Sequence, residues 1–514
     1  MFSYSAMSRE RVRGVLRTDG TRIVNGAGEE FLPVGVGLGN WLLWEGYMWR
    51  LPGRFDRPRT IESLFRELTG DTYTEDFIRR FREIYITEAD VAAIAAEGFN
   101  SVRVPIEWHV LMENAPGFPL REEGFVLLER FLDWCETHRL YVFLDMHGAP
   151  GGQTGANIDN SWDSRPRLFS DPETRAAGIR LWEAIARRFR DRWIVGGYDL
   201  LNEPLRPEGD SRWPRVPDYR VELASFYRDA IAAIRAIDPR HMIQVEGRHW
   251  ASTPDIFTER WDDNYLIHFH RYWCPPEKAA FVPFLAARER LGIPVFLGET
   301  GENRPEWYAA MLPLALSLGI GYNFWPWKKM ECTNSPCSIR APKGWAAIQR
   351  FARGGARPTM DEAVAAMDGY LENARLSACD RLPGVAASLF RRPGAVLFAS
   401  DFDEGGCEGH APVPTAYRRG SGMRLIPPAG TSGAWDSLDL VLAPGEWAQY
   451  TFTASDEPTR LVLEGSGTAS VSVGGACLAA GGLPLTVPVP PQSGEEIIFR
   501  VTGGEARVRK LRYE

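Results

Sequence analysis

The sequence predicts an α/β chain, a (β/α)8 TIM barrel followed by a C-terminal antiparallel β-sandwich domain. Three observations predict it. Eight short apolar runs lie between residues 31 and 327, with amphipathic helical stretches between several of them, the pattern of parallel strands with helices outside. No glycine-rich phosphate loop follows the first run, so a doubly wound open sheet fits less well. After about residue 375 the helical patterns stop, and Gly, Pro, Ser and Thr punctuate short alternating runs, as in an antiparallel sandwich.

In chain order the runs are FLPVGVGL (31–38), FNSVRVP (99–105), LYVFLDMH (140–147), YDLLNE (198–203), HMIQVEG (241–247), NYLIHFH (264–270), PVFLGE (294–299) and GYNFWPW (321–327). Each is bounded by turn residues and is of strand length. TEADVAAIAAEG (87–98), FVLLERFLDWCETH (125–138) and VELASFYRDAIAAIRAI (221–237) carry helical periodicity. Beyond LPGVAASLFRRPG (382–394) the predicted strands are 395–402, 422–428, 439–444, 446–454, 459–465, 469–475, 484–490, 495–501 and 506–513. The expected division is a barrel over 1–375, a linker over 376–394 and a sandwich over 395–514.

Composition narrows the partners. A formal net charge of −8 argues against nucleic acid or an anionic membrane held by charge. No apolar run is long enough to span a bilayer, so no integral membrane association is expected. The N-terminus has no signal-peptide pattern, and seven scattered cysteines do not read as a disulfide framework. The expected location is therefore cytoplasmic. Cys332 and Cys337, in CTNSPC, read as two loop thiols, because no second cysteine pair or histidine pair supports zinc. No metal and no cofactor is expected.

Barrel strands present the side chains at their C-terminal ends to one mouth. That rule gathers Arg103 from strand two, His147 from strand three, Asn202 and Glu203 from strand four, His270 and Tyr272 from strand six, Glu299 from strand seven and Trp325 from strand eight. Two carboxylates among donors and one indole suit cleavage of a glycosidic bond with retention. One carboxyl gives a proton to the leaving oxygen and the other attacks the anomeric carbon. On this reading Arg103 and Tyr272 hold Glu299 ionised, and a less charged setting near His270 keeps Glu203 protonated. Asn202 is placed for the sugar 2-OH and Trp325 for the sugar's apolar face.

The motifs VRVPIEW, LDMHGAPGGQTG, LLNEP, FHRY, VFLGE and FWPWK, together spanning roughly residues 30–350, resemble those of glycoside hydrolase family 5. GVGLGNWLLWE and HGAPGGQTGANIDNS most resemble its exo-β-1,3-glucanase and β-glucosidase-like branch. The resemblance implies that Glu203 is the acid/base, that Glu299 is the nucleophile and that Glu45 contacts the non-reducing sugar. The implied substrates are β-glucosides or short β-glucans, attacked from one end. Two positions depart from the branch, with Gly37 where asparagine is usual and Asn40 where glycine is usual. The segment GYMWRLPGRFDRPRT (46–60) reads as an insertion that reshapes the aglycone side.

An alternative substrate class is glycolipids or other β-glycosides with hydrophobic aglycones, disaccharide glycosides included, accommodated by the aromatic stretch 41–49. A non-catalytic sugar-binding protein is the alternative class of function, though a binder needs neither glutamate. DFDEGG (401–406), AYRRGSGMRL (416–425) and GEWAQYTFTA (445–454) are similar to carbohydrate-binding modules of the family 6 and 35 type. Tyr417 fits one member of their aromatic pair. A structural role for this domain is the competing expectation.

Overall fold

The computed structural model describes residues 4–209, 211–407, 417–418, 421–428, 430–431, 433–492 and 495–514. Eight parallel strands close into a barrel: β1 (Val34–Gly37), β2 (Ser101–Glu107), β3 (Tyr141–Gly148), β4 (Val195–Asp199), β5 (Ile243–Glu246), β6 (Tyr265–His270), β7 (Val295–Gly301) and β8 (Tyr322–Trp325). Seven of them fall largely on the apolar runs read from the sequence, whereas β4 shares only Tyr198 and Asp199 with the run 198–203, so Asn202 and Glu203 lie in the loop beyond the strand. β8 closes the ring on β1, pairing Tyr322 with Val34 and Phe324 with Val36. β1 needs glycine on its inner face. A Cβ at Gly35 would lie 2.6 Å from the Asn323 side chain, and one at Gly37 2.6 Å from the Trp325 ring.

The helices form where periodicity and caps agree. Glu88–Ala96 starts with a capping box in which Thr87 N–H donates to Asp90. The other oxygen of Asp90 accepts from Lys328 Nζ at 2.8 Å and Trp327 Nε1 at 3.0 Å. This fully buried ion pair, with Tyr85 donating to the Lys328 carbonyl at 2.7 Å, clamps the chain just after β8, where Trp325 sits. The helices Glu122–His138 and Arg220–Arg235 match their predicted stretches.

Two compact units emerge. The first holds residues 1–271, 283–301 and 319–381, and the second 272–282, 302–318 and 382–514. The stretch 382–394 is not plain connection, because Pro383–Leu389 is a helix that buries Val385 to Leu389. In the antiparallel sheet of the second unit, two pairs of predicted strands are fused into Thr459–Val473 and Glu496–Tyr513. The expected breaks were at glycines, yet these glycines serve close approach. A Cβ at Gly465 or Gly467 would lie 2.0 Å from the backbone of the paired strand, and the ladder there shifts register instead of turning.

One buried apolar cluster, including Leu440, Tyr450, Leu463, Phe499 and Leu511, forms the core of this unit, and Ala309 and Ala310 belong to it. Tyr417 is 3% exposed and donates to Asp401 at 2.5 Å, so it is a core residue and not a face for stacking sugar. Ala416, Arg419 and Gly420 of the same predicted motif lie outside the described residues.

Burial pushes the Asp401 carboxyl up to about 7, against the Tyr417 hydrogen bond, and its Oδ2 has no hydrogen-bond partner among the described residues. Unfolded, the group titrates near 3.8. Between these values the unfolded chain gives up a proton that the folded chain keeps, so stability falls as pH rises from 3.8 to about 7, and the loss is complete above that. Asp401→Asn is therefore expected to match wild type near pH 4 and to be more stable at pH 8, by on the order of 4 kcal/mol at most. Unfolding titrations at the two pH values check this; equal differences at both would refute it.

Candidate active site

Polar side chains recur at every second position of otherwise apolar strands, so they share the inner face of the barrel. Asp145 and His147 lie on β3, Asp199 on β4, Gln244 and Glu246 on β5, and His268 and His270 on β6; all seven are buried. Arg103, expected at the end of β2, sits in its middle, because the strand continues in pairing with β3 as far as Glu107. From there its wholly buried guanidinium reaches upward. Nε donates to Asp199 at 2.9 Å, Nη1 to Glu299 at 2.6 Å, and Nη2 to Asn202 at 2.9 Å and Glu246 at 3.1 Å, with Asp145 at 3.2 Å.

Glu203 and Glu299 face one another above this arginine. One carboxylate oxygen of each lies within 4.8 Å of the other, with His270 Nδ1 in the same group. His270 Nδ1 is 2.7 Å from Glu203 Oε1 and 3.7 Å from Glu299 Oε1. Burial alone would lower the His270 pKa. Glu246, Glu299 and the hydrogen bonds to Glu203 and Glu246 outweigh it, and the imidazole is held well above its usual value and charged. The setting around Glu203 is thus more charged than expected from sequence, because Glu246 stands behind the histidine and Glu299 beside it.

His147 behaves oppositely. Burial, with the Arg103 charge, lowers it to about 3. The ring is therefore neutral, paired through Nδ1 with Asp145 at 2.7 Å, and its Nε2 accepts from the Asn202 amide at 3.2 Å. Burial lifts Asp145 well above the usual carboxylate range despite Arg103. Asp199 is equally buried, but His268 and Arg103 hold it down to about 2. Asn202 is fixed at both ends, and Gln153 ties its loop to the preceding one by donating to the carbonyls of His147 and Asn202, at 2.8 Å each.

Trp325 lies flat beside His147, with planes 4° apart and centroids 5.5 Å apart, and its indole N–H donates to Tyr47 Oη at 2.9 Å. Both departures in the first motif now have physical reasons. Gly37 leaves room for that indole. Asn40 adopts φ 68°, a conformation asparagine tolerates better than most residues, and its Oδ1 accepts from Glu45 N at 3.3 Å. Glu45 is 5% exposed. Gly37→Ala is expected to push Trp325 aside and lower kcat/KM about tenfold, ~1.4 kcal/mol, chiefly through KM; steady-state kinetics on an aryl glycoside would test it, and an unchanged KM would count against it.

The aromatic stretch 41–49 is not an aglycone surface as a whole. Trp41, Trp44 and Trp49 are buried, the last stacked on Tyr370 at 4.4 Å and close to Phe65 and Phe81. The helices that follow β1, Pro58–Thr69 and Asp71–Ile84, supply the apolar wall that takes them in. Only Tyr47, 42% exposed, turns outward.

The structure brings Arg103, His147, Asn202, Glu203, His270, Glu299 and Trp325 together. Tyr272 follows two residues after His270 and belongs to the second unit, where its ring lies 5.3 Å from that of Trp273. Asp145, Asp199, Glu246, His268 and Gln153 are not singled out by the sequence, and Tyr47 enters there only as part of the aromatic stretch 41–49. Two donor sets, Glu246–His268–His270 and Glu203–His270–Glu299, are each gathered within 4.8 Å, as a cation site requires. The guanidinium of Arg103 already contacts Glu246 and Glu299, so the counter-charge of these carboxylates is built into the chain.

The family model for cellulase, glycosyl hydrolase family 5, matches residues 71–331. A beta-xylosidase from Phanerodontia chrysosporium is 31% identical over 308 residues, 57% of this chain and 59% of the relative. Endoglucanase C of Acetivibrio thermocellus is 27% identical over 198 residues, 38% and 53% respectively. A probable glucan 1,3-beta-glucosidase A from Aspergillus terreus is 29% identical over 209 residues, 40% and 47%. The chain thus spans about half the length of these curated relatives.

Proposed function

Because this chain belongs to glycosyl hydrolase family 5, we propose that it is a retaining β-glycosidase, hydrolysing β-glucosides or short β-glucans from the non-reducing end. The observation that carries the reading is the carboxylate pair. Oxygens of Glu203 and Glu299 within 4.8 Å of each other sit near the roughly 5–5.5 Å used for double displacement and short of the ~6.5–9.5 Å that inversion needs.

In this mechanism Glu299 attacks the anomeric carbon, oriented by Arg103 at 2.6 Å. The proton for the leaving oxygen is held between His270 Nδ1 and Glu203, 2.7 Å apart. As the glycosidic bond breaks, Glu203 delivers that proton to the leaving oxygen and is left as a carboxylate beside His270. In the second half Glu203 takes a proton from water, which displaces Glu299 and frees the sugar. Asn202 keeps one amide hydrogen beyond its bond to His147 for the sugar 2-OH, Trp325 stacks on the sugar face, and Glu45 binds the non-reducing sugar.

The test is a panel of aryl β-glycosides followed by proton NMR of the first-formed sugar. The expected result is a glucoside as best substrate, with the β anomer appearing first. First appearance of the α anomer would exclude double displacement, and an inert panel would exclude an exo-acting monoglycosidase.

One observation favours a second reading, in which the aglycone is hydrophobic. Tyr47 and Trp162 are each 42% exposed on the loops after β1 and β3, and Trp213 and Trp250, with ring centroids 6.1 Å apart, lie on the loops after β4 and β5. A kcat/KM that climbs steadily from methyl to octyl β-glucoside would select that reading; a flat series would reject it.

A further inference from the structure

Both ends of the residue proposed as acid/base lead to a single buried carboxylate that the mechanism leaves unused. Glu246 Oε2 accepts the backbone N–H of Glu203 at 2.6 Å, holding that residue at φ 45°, a left-handed backbone that costs energy unless its surroundings enforce it. Glu246 Oε1 lies 3.4 Å from His270 Nε2, while the other nitrogen of that ring is 2.7 Å from the Glu203 side chain. Main chain and carboxyl of Glu203 are thereby tied to the same group.

That group is itself held. The Tyr227 hydroxyl donates to the Glu246 carbonyl at 2.8 Å and accepts its N–H at 3.2 Å. Arg103 Nη2 donates to Oε1 at 3.1 Å. His268, on β6, has Nε2 3.4 Å from Glu246 Oε1 and 3.1 Å from His270 Nε2, with its Nδ1 paired with Gln244 of β5 at 3.0 Å. The backbone is cleared for that ring: a Cβ at Gly298, the residue before Glu299, would fall 1.9 Å from His268 Nε2.

We infer that Glu246, supported by His268, is a positioning residue for proton donation by Glu203, acting on its backbone directly and on its carboxyl through His270. The inference rests on the reading of Glu203 as acid/base. Its consequence is selective. A leaving group that departs as a stable anion needs little protonation, whereas a basic one depends on the donor. A defect in aiming the donor therefore shows in the second class of substrate, while a general loss of fold shows in both.

The experiment compares kcat/KM for phenyl and 2,4-dinitrophenyl β-glycosides of the sugar that wild type cleaves fastest, in Glu246→Gln and His268→Asn. Glu246→Gln is expected to lose about 100-fold on the phenyl glycoside and less than about fivefold on the dinitrophenyl one. His268→Asn, which spares the Glu203 backbone anchor, is expected to lose about tenfold on the phenyl glycoside alone, and it keeps the test alive if Glu246→Gln does not fold. Equal losses on both substrates, or none, in the folded variants would overturn the inference. Glu203→Ala is the control: a still larger selective loss upholds Glu203 as acid/base whatever Glu246 does, and wild-type behaviour there would remove the reading on which the inference rests.

Discussion

Glu299→Ala is expected to lower hydrolysis of an aryl β-glycoside by about 10⁴-fold or more, roughly 5.5 kcal/mol of transition-state stabilisation. The side chain is 7% exposed, and Arg103 and His270 converge on its two oxygens, so no neighbouring group stands ready to attack in its place. Truncation leaves a small anion-sized space beside those two cations. Azide is therefore expected to enter it, restore turnover and give the α-glycosyl azide, because it attacks from the face that Glu299 vacates. Wild-type activity in the variant would end the assignment, and so would a rescued product with β configuration. A protein that only binds sugar would have no activity to lose.

Arg103→Met is expected to be the most destabilising single change in the barrel. One guanidinium contacts Asp145, Asp199, Glu246 and Glu299, and three of these four carboxylates have wholly buried side chains. Removing one partner of a buried ion pair costs about 3–5 kcal/mol because the remaining charge is left uncompensated, and here several are left. At roughly 2–4 °C per kcal/mol for a unit of this size, the melting temperature should fall by about 6–20 °C. The sign with pH is fixed. Without the guanidinium the carboxylates take up protons more readily in the folded state, so the deficit shrinks as pH falls from 8 to 5. Arg103→Lys should be only slightly better, since one ammonium cannot serve Nε, Nη1 and Nη2 partners together. A lysine variant with wild-type melting temperature and activity would show that charge alone suffices.

The barrel strands were legible because each lies on or beside an apolar run bounded by turn residues. β4 is displaced toward the N-terminus of its run because Leu200 to Glu203 already form the loop. Glu203 and Glu299 were legible because they lie where such runs stop. Asp199, Glu246 and His268 were passed over because they lie inside the runs. Their signal was present as polar residues two apart in one strand, Gln244 with Glu246 and His268 with His270, which only an inward face of a closed barrel brings together. The charge on His270 was misjudged for the same reason, since Glu246 stands behind it. In the second unit glycine misled. Gly465 and Gly467 read as turns, whereas their missing side chains let two long strands approach; composition does not distinguish these uses. The tryptophans near the mouth divided unevenly, with Trp325 at the site and Trp41, Trp44 and Trp49 in the core.

The second compact unit is assembled from three separate stretches of sequence, and the chain passes between the two units five times. Gene architecture inherits that arrangement. A stop codon after residue 381 would delete the entire sheet while leaving residues 272–282 and the helix Pro305–Ser317, with Ala309 and Ala310 from the sheet's own core, bereft of the rest of their unit. The C-terminal region is therefore not a cassette that recombination could append to, or strip from, an independent enzyme. It has to be inherited, swapped or engineered together with the segments on either side of the strand that carries Glu299.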